Sequence, residues 1–213
     1  MHKPFIENMS KDMVENQLRQ RGITDVRILD AMGTIPRHLF VAEDLRDEAY
    51  MDGPLPIGFG QTISQPYIVA YMTEILKLEQ QHSVLEVGTG CGYQAAVLSS
   101  LSQKVISLER IKELAVSSRK QLRELGFANV DVININGWDG YQKGAPYDRI
   151  IVTAGAKKVP EALIDQLANN GIMVIPVGKI MFSQTLRIIS KDNNGNVIKK
   201  KSLPVRFVRL VNK

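Results

Sequence analysis

From residue 83 onward, short aliphatic and β-branched runs alternate with longer stretches whose apolar residues recur at helical spacing. The runs at 84–87, 104–108, 130–135, 149–153 and 172–176 predict strands of a parallel sheet covered on both faces. Helices are expected near 94–101 and 111–125, with Gly126 as a stop signal. A third is expected from Pro160, a favoured first-turn residue, to about 169. This alternation predicts a doubly wound α/β domain.

Both flanks depart from that rhythm. Residues 1–60 carry no strand pattern; Met13, Val14 and Leu18, then Val26, Leu29 and Met32, fit two short amphipathic helices that would cap the α/β unit. The glycines and prolines of Gly53-Pro54-Leu55-Pro56-Ile57-Gly58-Phe59-Gly60 predict an ordered, irregular loop. Ser64-Gln65-Pro66 then opens a helix with Ile68, Val69, Met72, Ile75 and Leu76 as its apolar stripe. After Gly178 two strand-like runs, 185–190 and 197–201, flank Asp192-Asn193-Asn194-Gly195, whose Asn-Gly step favours a hairpin turn. A last β-rich run covers 205–210.

Composition narrows the class. At 213 residues, 44% hydrophobic and 23% charged, the chain can bury a full core in one domain. No apolar run approaches the roughly 18 residues of a membrane span, and Met1-His2-Lys3-Pro4-Phe5-Ile6-Glu7 has no apolar signal core. A soluble cytoplasmic protein is expected, with no membrane partner. The single cysteine, Cys91, excludes an intramolecular disulfide and reads as a small filler. His2, His38 and His82 have no metal-ligand spacing, so no metal is expected. The net charge of +5 could suit nucleic acid, but the cations are scattered except for Lys199-Lys200-Lys201. No aromatic residues interleave with that run to stack bases, so it reads as a solvated strand face and no nucleic-acid partner is expected.

The chemistry concentrates in Val84-Leu85-Glu86-Val87-Gly88-Thr89-Gly90-Cys91-Gly92, a strand running into a glycine-rich turn before a helix. Glycine lets the backbone turn tightly and approach a ligand without a Cβ in the way. Glu109 lies roughly 20 residues on, at the end of the second strand, where a carboxylate can bind both ribose hydroxyls. The glycines follow G-x-G-x-G rather than the dinucleotide spacing, and Glu86 precedes them. A carboxylate there repels a pyrophosphate and suits the ammonium of a methionyl group, which favours S-adenosylmethionine over NAD.

Gly60-Gln61-Thr62-Ile63-Ser64-Gln65-Pro66-Tyr67 is more specific. With Ile35-Pro36-Arg37-His38-Leu39-Phe40-Val41, Ser107-Leu108-Glu109-Arg110, Ile175-Pro176-Val177-Gly178, Val205-Arg206-Phe207-Val208 and the stretches 85–93 and 150–154, it resembles the protein-L-isoaspartate O-methyltransferase family, in that family's order along nearly the whole chain. The resemblance implies a class I S-adenosylmethionine-dependent fold: a cap and substrate loop over 1–60, a cofactor-binding core over 61–178 and antiparallel strands over 179–213. It implies methyl transfer from S-adenosyl-L-methionine to the free α-carboxylate of L-isoaspartyl and D-aspartyl residues in damaged proteins, giving an ester that passes through a succinimide toward aspartate. A monomer is expected.

By the same resemblance Ser64, with Thr62, is the active-site residue, orienting substrate rather than attacking it, and Thr62, Ile63, Ser64 and Val208 bind substrate. Glu86, Gly88, Thr89, Gly90 and Gly92 would shape the methionyl end of the cofactor site, Glu109 and Arg110 the ribose end, and Asn136-Gly137 the adenine. Read from the residues alone, Ser64 could equally be an ordinary helix cap. Two positions depart from the family pattern. Asn136 replaces an acid, which bears on cofactor affinity. Arg209 replaces a proline over the substrate cleft, and either attracts substrate carboxylates or points to solvent. Trp138 and Tyr141, in the loop after the third strand, are open between a cofactor or lid contact and, for Trp138, a packing anchor. A nucleic-acid base methyltransferase would carry an Asn/Asp-Pro-Pro-aromatic motif where this chain has Val152-Thr153-Ala154-Gly155-Ala156.

Overall fold

A computed structural model describes residues 3–179 and 184–212; positions 1–2, 180–183 and 213, which fall in the expected cap and C-terminal sections, lie outside the described residues. Helix α1 (Lys3–Asp12) runs into a wide π-helical turn, Met13–Leu18, that buries Met13, Val14 and Leu18. The sequence expectation misses α1 because its Ile6 and Met9 are only partly buried against the core, too little for a readable stripe. Helix α2 (Val26–Thr34) is capped by Asp25, whose side chain accepts from the Arg27 N–H at 3.0 Å. It buries Ile28, Leu29, Ala31 and Met32, while Val26, expected on that face, is 60% exposed.

The expected irregular loop contains a two-strand ribbon: β1 (Leu55–Pro56) pairs antiparallel with β2 (Thr62–Ile63). Its tip, Gly58-Phe59-Gly60, has three successive positive φ angles of 84°, 52° and 67°. Glycine adopts that region freely, which explains two of the three residues. Helix α3 (Pro66–Leu76) starts on its proline and buries Val69, Met72 and Leu76, as its stripe predicts.

The core alternates β3 (Ser83–Val87), α4 (Tyr93–Ser99), β4 (Lys104–Glu109), α5 (Lys112–Glu124), β5 (Val130–Asn134) and β6 (Tyr147–Val152). Next come α6 (Glu161–Asp165), β7 (Leu167–Val177), β8 (Gln184–Lys191) and β9 (Val197–Val205). The sheet order is β5-β4-β3-β6-β7-β8-β9, parallel from β5 to β7 and antiparallel from β7 to β9. It is the doubly wound, mostly parallel architecture the pattern predicts. Two apolar clusters cover it, one including the cap, α3, α4 and α5, the other including Tyr147, Leu163, Leu167 and Leu210.

Two boundaries are corrected. The helix expected over 160–169 is the short α6, and Leu167 already pairs with Tyr147. Beyond it, Asn170 has φ 60°, and the amides of Asn169 and Asn170 donate to the backbone and side-chain oxygens of Asn193 at 3.1 and 2.6 Å, tying this stretch to the β8–β9 turn instead of continuing a helix. The run expected at 205–210 is not a separate strand. β9 ends at Val205, and the chain beyond it crosses the sheet's end with one bridge, Gly155 to Arg209. β9 forms an outer edge of the sheet and exposes Lys199, Lys200 and Lys201.

Candidate active site

The sheet order reverses between β3 and β6: from β3 the chain crosses to β4, and from β6 to β7 on the other side. Ligands of open α/β sheets bind at such a switch point, beyond the strand C-termini. Three strand ends meet there: Gly88 follows β3, Glu109 ends β4 and Thr153 follows β6. They line an open cleft of about 790 Å³, counting the solvent space at its mouth.

The turn after β3 is built on Gly88, Gly90 and Gly92 at φ 104°, 54° and 94°. A Cβ on Gly88 would collide with the Thr153 hydroxyl, which donates to the Gly88 carbonyl at 2.6 Å. Glu109 locks the turn from the other side: one carboxylate oxygen accepts from the Gly90 N–H at 2.9 Å, the other from Ile111 N–H at 2.8 Å. Each oxygen keeps a second lone pair for a ligand hydroxyl.

Beneath the turn lies a buried chain of hydroxyls. Ser107 is hydrogen-bonded to one Glu86 oxygen at 2.5 Å and shares a second hydrogen bond with the Thr89 hydroxyl, also at 2.5 Å. The other Glu86 oxygen is buried without a hydrogen-bond partner. Burial pushes the Glu86 carboxyl up to about 8, and the charge of Glu109 adds to the shift while the Ser107 hydrogen bond opposes it. Desolvation likewise raises the Cys91 thiol to about 11 and the Tyr93 phenol to about 12, so both stay neutral at physiological pH.

The opposite wall comes from the flanks of the chain. Thr62, Ile63 and Ser64 enter from β2 and the start of α3; Val208, Arg209 and Leu210 enter from the segment after β9. That segment is held by Gln184, fully buried, whose amide accepts from the Phe207 N–H at 2.8 Å and donates to its carbonyl at 3.1 Å. The Gly155 N–H donates to Val208 O at 2.7 Å, and a Cβ on Gly155 would strike the Gln184 amide. A second groove, lined by Ile68, Arg206 and Phe207, shares Thr62, Ser64, Thr153 and Val208 with the cleft. Those four residues mark where the two spaces join.

Thr62, Ile63, Ser64, Gly88, Thr89, Gly90, Glu109, Arg110, Asn136, Gly137 and Val208 all line the cleft. Glu86 and Gly92, expected among them, do not. Glu86 is fully buried under the turn, and Gly92 precedes α4, packed near Leu122 and Ser118. Ser64 is not the cap of α3: Gln65 holds that position, and the Ser64 hydroxyl has no hydrogen-bond partner among the described residues. Asn136 uses its side-chain oxygen to accept from Trp138 N–H at 3.0 Å, a cap that an aspartate would form equally well. Trp138 and Tyr141 pack against the second apolar cluster, away from the cleft lining. Arg209 is exposed yet stands on the cleft wall. Sequence reasoning missed Thr153, Tyr93 and Gln94 as lining residues. Thr153 carried a usable signal, since it ends an apolar run as Glu109 does.

A mostly parallel seven-stranded sheet with a glycine turn and a strand-end carboxylate at its switch point defines an S-adenosylmethionine-dependent methyltransferase of the class I fold. The sequence profile of the protein-L-isoaspartate(D-aspartate) O-methyltransferase family matches residues 8–213, and the chain belongs to that family. It is 52% identical to a protein-L-isoaspartate O-methyltransferase of Synechococcus sp. over 98% of this chain and 87% of that one. A relative of the same description from Geobacter metallireducens is 50% identical over 95% and 94%. Among solved structures, a β-aspartate methyltransferase from Plasmodium falciparum in complex with S-adenosyl-L-homocysteine superposes with a TM-score of 0.81 at 31% identity, over 94% of this chain and 97% of that one. The residues at the switch point fit that cofactor: the glycine turn lets a ligand approach the backbone, and Glu109, each of whose oxygens accepts one backbone N–H and can accept a further hydrogen bond, lines the cleft.

Proposed function

We propose that the chain repairs damaged proteins by methylating the free α-carboxylate of L-isoaspartyl and D-aspartyl residues, with Thr62 and Ser64 orienting that carboxylate at the mouth of the cofactor cleft. The observation that carries this reading is the lining of the cleft. Among the described residues it holds one carboxylate, Glu109, committed to two backbone amides, and no histidine or lysine. Cys91 and Tyr93 are held neutral by burial. A site without a base suits an acceptor that is already anionic, and an α-carboxylate with a pKa of about 3.5 is ionised at neutral pH. S-adenosyl-L-methionine, when bound, supplies the electrophilic methyl group.

The protein's own contribution is placement. The Thr62 and Ser64 hydroxyls each offer one donor, and the start of α3, with no acid in its first turn, favours a bound anion. Glu86, Gly88, Thr89, Gly90 and Gly92 shape the methionyl pole, Gly92 by setting the start of α4 and Glu86 from beneath. Glu109 and Arg110 serve the ribose, and Asn136 and Gly137 flank the adenine. Ile63 and Val208 form apolar walls beside the substrate backbone.

We further read the chain as one working domain that acts as a cytoplasmic monomer without nucleic acid or membrane. No helix among the described residues is long and apolar enough to cross a membrane, and no group of three or more potential ligands among them could hold a metal.

The test uses methyl-labelled cofactor with two peptides identical except for isoaspartate or aspartate. Base-labile label is expected on the isoaspartyl peptide alone, and Ser64→Ala should reduce kcat/KM by about a hundredfold, the scale of one lost transition-state donor. Equal labelling of both peptides, or full activity in Ser64→Ala, overturns the assignment of the site.

A further inference from the structure

Arg37 belongs to none of the surfaces described so far, yet it ties three of them together. It lies in a single helical turn of the cap, Arg37–Phe40, and is completely buried. Its Nε donates to the Ala49 carbonyl at 2.6 Å, and its Nη2 donates to the Ser64 carbonyl at 2.8 Å. The guanidinium carbon stands 4.7 Å from the centre of the Tyr93 ring, the first residue of α4 after the glycine turn. Phe40 braces the same ring edge-on at 5.4 Å. One side chain therefore joins the cap, the Ser64 segment and the helix that follows the cofactor turn.

Stability alone does not explain it. No carboxylate pairs with Arg37 among the described residues, and its Nη1 is buried without a partner. Burying a guanidinium with no carboxylate beside it is costly, and an apolar residue of similar volume would fill the space at less expense. What an apolar residue could not do is hold two carbonyls, 27 positions apart from Arg37 in one case, in a fixed fork. Ser64 is the point where this matters. Among the described residues its hydroxyl is unpaired, so its position depends on the backbone, and the only side-chain hydrogen bond to that backbone is the one from Arg37 to its carbonyl.

We propose that Arg37 is a positioning residue for the methyl-accepting carboxylate: by holding the Ser64 carbonyl against the cap and the Tyr93 ring, it sets where the Ser64 hydroxyl meets the substrate. This rests on the orienting role assigned to Ser64. If that carbonyl is released, the peptide plane after Ser64 turns and the hydroxyl moves with it, while the cofactor pole, built on the strand ends, stays in place.

The test compares Arg37→Lys, which keeps the charge but not the fork, and Arg37→Gln, which removes the charge, each alone and combined with Ser64→Ala. Isoaspartyl-peptide KM and kcat, S-adenosyl-L-homocysteine affinity and thermal unfolding are measured on each. Both single variants should raise peptide KM by about tenfold, the scale of one charge-assisted hydrogen bond, with cofactor-product affinity held within about twofold. In the Ser64→Ala background the same substitutions should change peptide KM by less than about twofold, the non-additivity expected of residues acting through one another. Arg37→Gln, free of the buried charge, supplies the answer if Arg37→Lys does not fold. Unchanged peptide KM, equal losses in both backgrounds, or a KM rise that follows lost thermal stability or lost cofactor-product affinity overturns the proposal. Full activity in Ser64→Ala would sink the Ser64 role itself, whatever the Arg37 variants do.

Discussion

The two walls of the cleft are built in different ways. The cofactor wall is local and self-contained: Gly88, Glu109 and Thr153 stand at the ends of three adjacent parallel strands, and their contacts are backbone carbonyls and amides of one another's turns. The opposite wall, which we assign to the substrate, is assembled from segments far apart in the chain, 62–64 and 208–210, each held by one buried polar side chain reaching across the fold, Arg37 and Gln184. A rigid sheet end suits a ligand that is the same in every turnover. A wall hung from two long-range hydrogen-bonding residues can be adjusted without disturbing it, which suits acceptors that differ in the residues around the damaged one.

The largest expected effect tests the rigid side. Gly88→Ala puts a Cβ into the Thr153 hydroxyl at a φ of 104°, which L-residues rarely adopt. Cofactor-product affinity, measured by calorimetry, should fall by more than about a hundredfold, given the roughly 1–3 kcal/mol of strain plus the clash. Near-normal affinity would show that the turn is not the rigid element described here. Gln184→Ala tests the suspended side with a smaller loss: peptide kcat/KM should drop by about tenfold as Phe207 loses both backbone partners, with cofactor-product affinity nearly unchanged. Parallel loss of both ligands would mean that the walls are one unit.

The smallest effect is on stability. The Glu86 carboxyl titrates in the folded protein near 8 rather than its ordinary 4.5, so its contribution is fully present below about 4.5 and is lost as pH rises through about 8. Glu86→Gln cannot lose that proton. Its melting temperature relative to the parent protein should therefore rise by a few degrees between pH 5.5 and pH 8.5. A constant difference between the two proteins across that range would mean that Glu86 is ionised where it lies.

The same division explains what could be read from the chain. The glycine turn and Glu109 were legible because their function depends on spacing along one βαβ unit, and Thr62 and Ser64 because their segment matches a family pattern. Burial of Glu86 was not legible: an acid two residues before a glycine turn looks the same whether it faces the ligand or supports the turn from below. The length of α6 was misread: it starts at Pro160 as expected, but asparagine amides bound to a distant turn tie down the stretch that would have continued it. Gln184 carries no local signature, and the family-like stretch around Arg37 gives no hint of what its side chain holds, since both roles are defined by backbone atoms 12 to 27 positions away.

The outer strand β9 has a consequence of another kind. An unpaired sheet edge is a template for further strands, and an enzyme whose clients are ageing polypeptides meets partly unfolded chains in every encounter. Lys199, Lys200 and Lys201, exposed on that edge, make such pairing electrostatically costly.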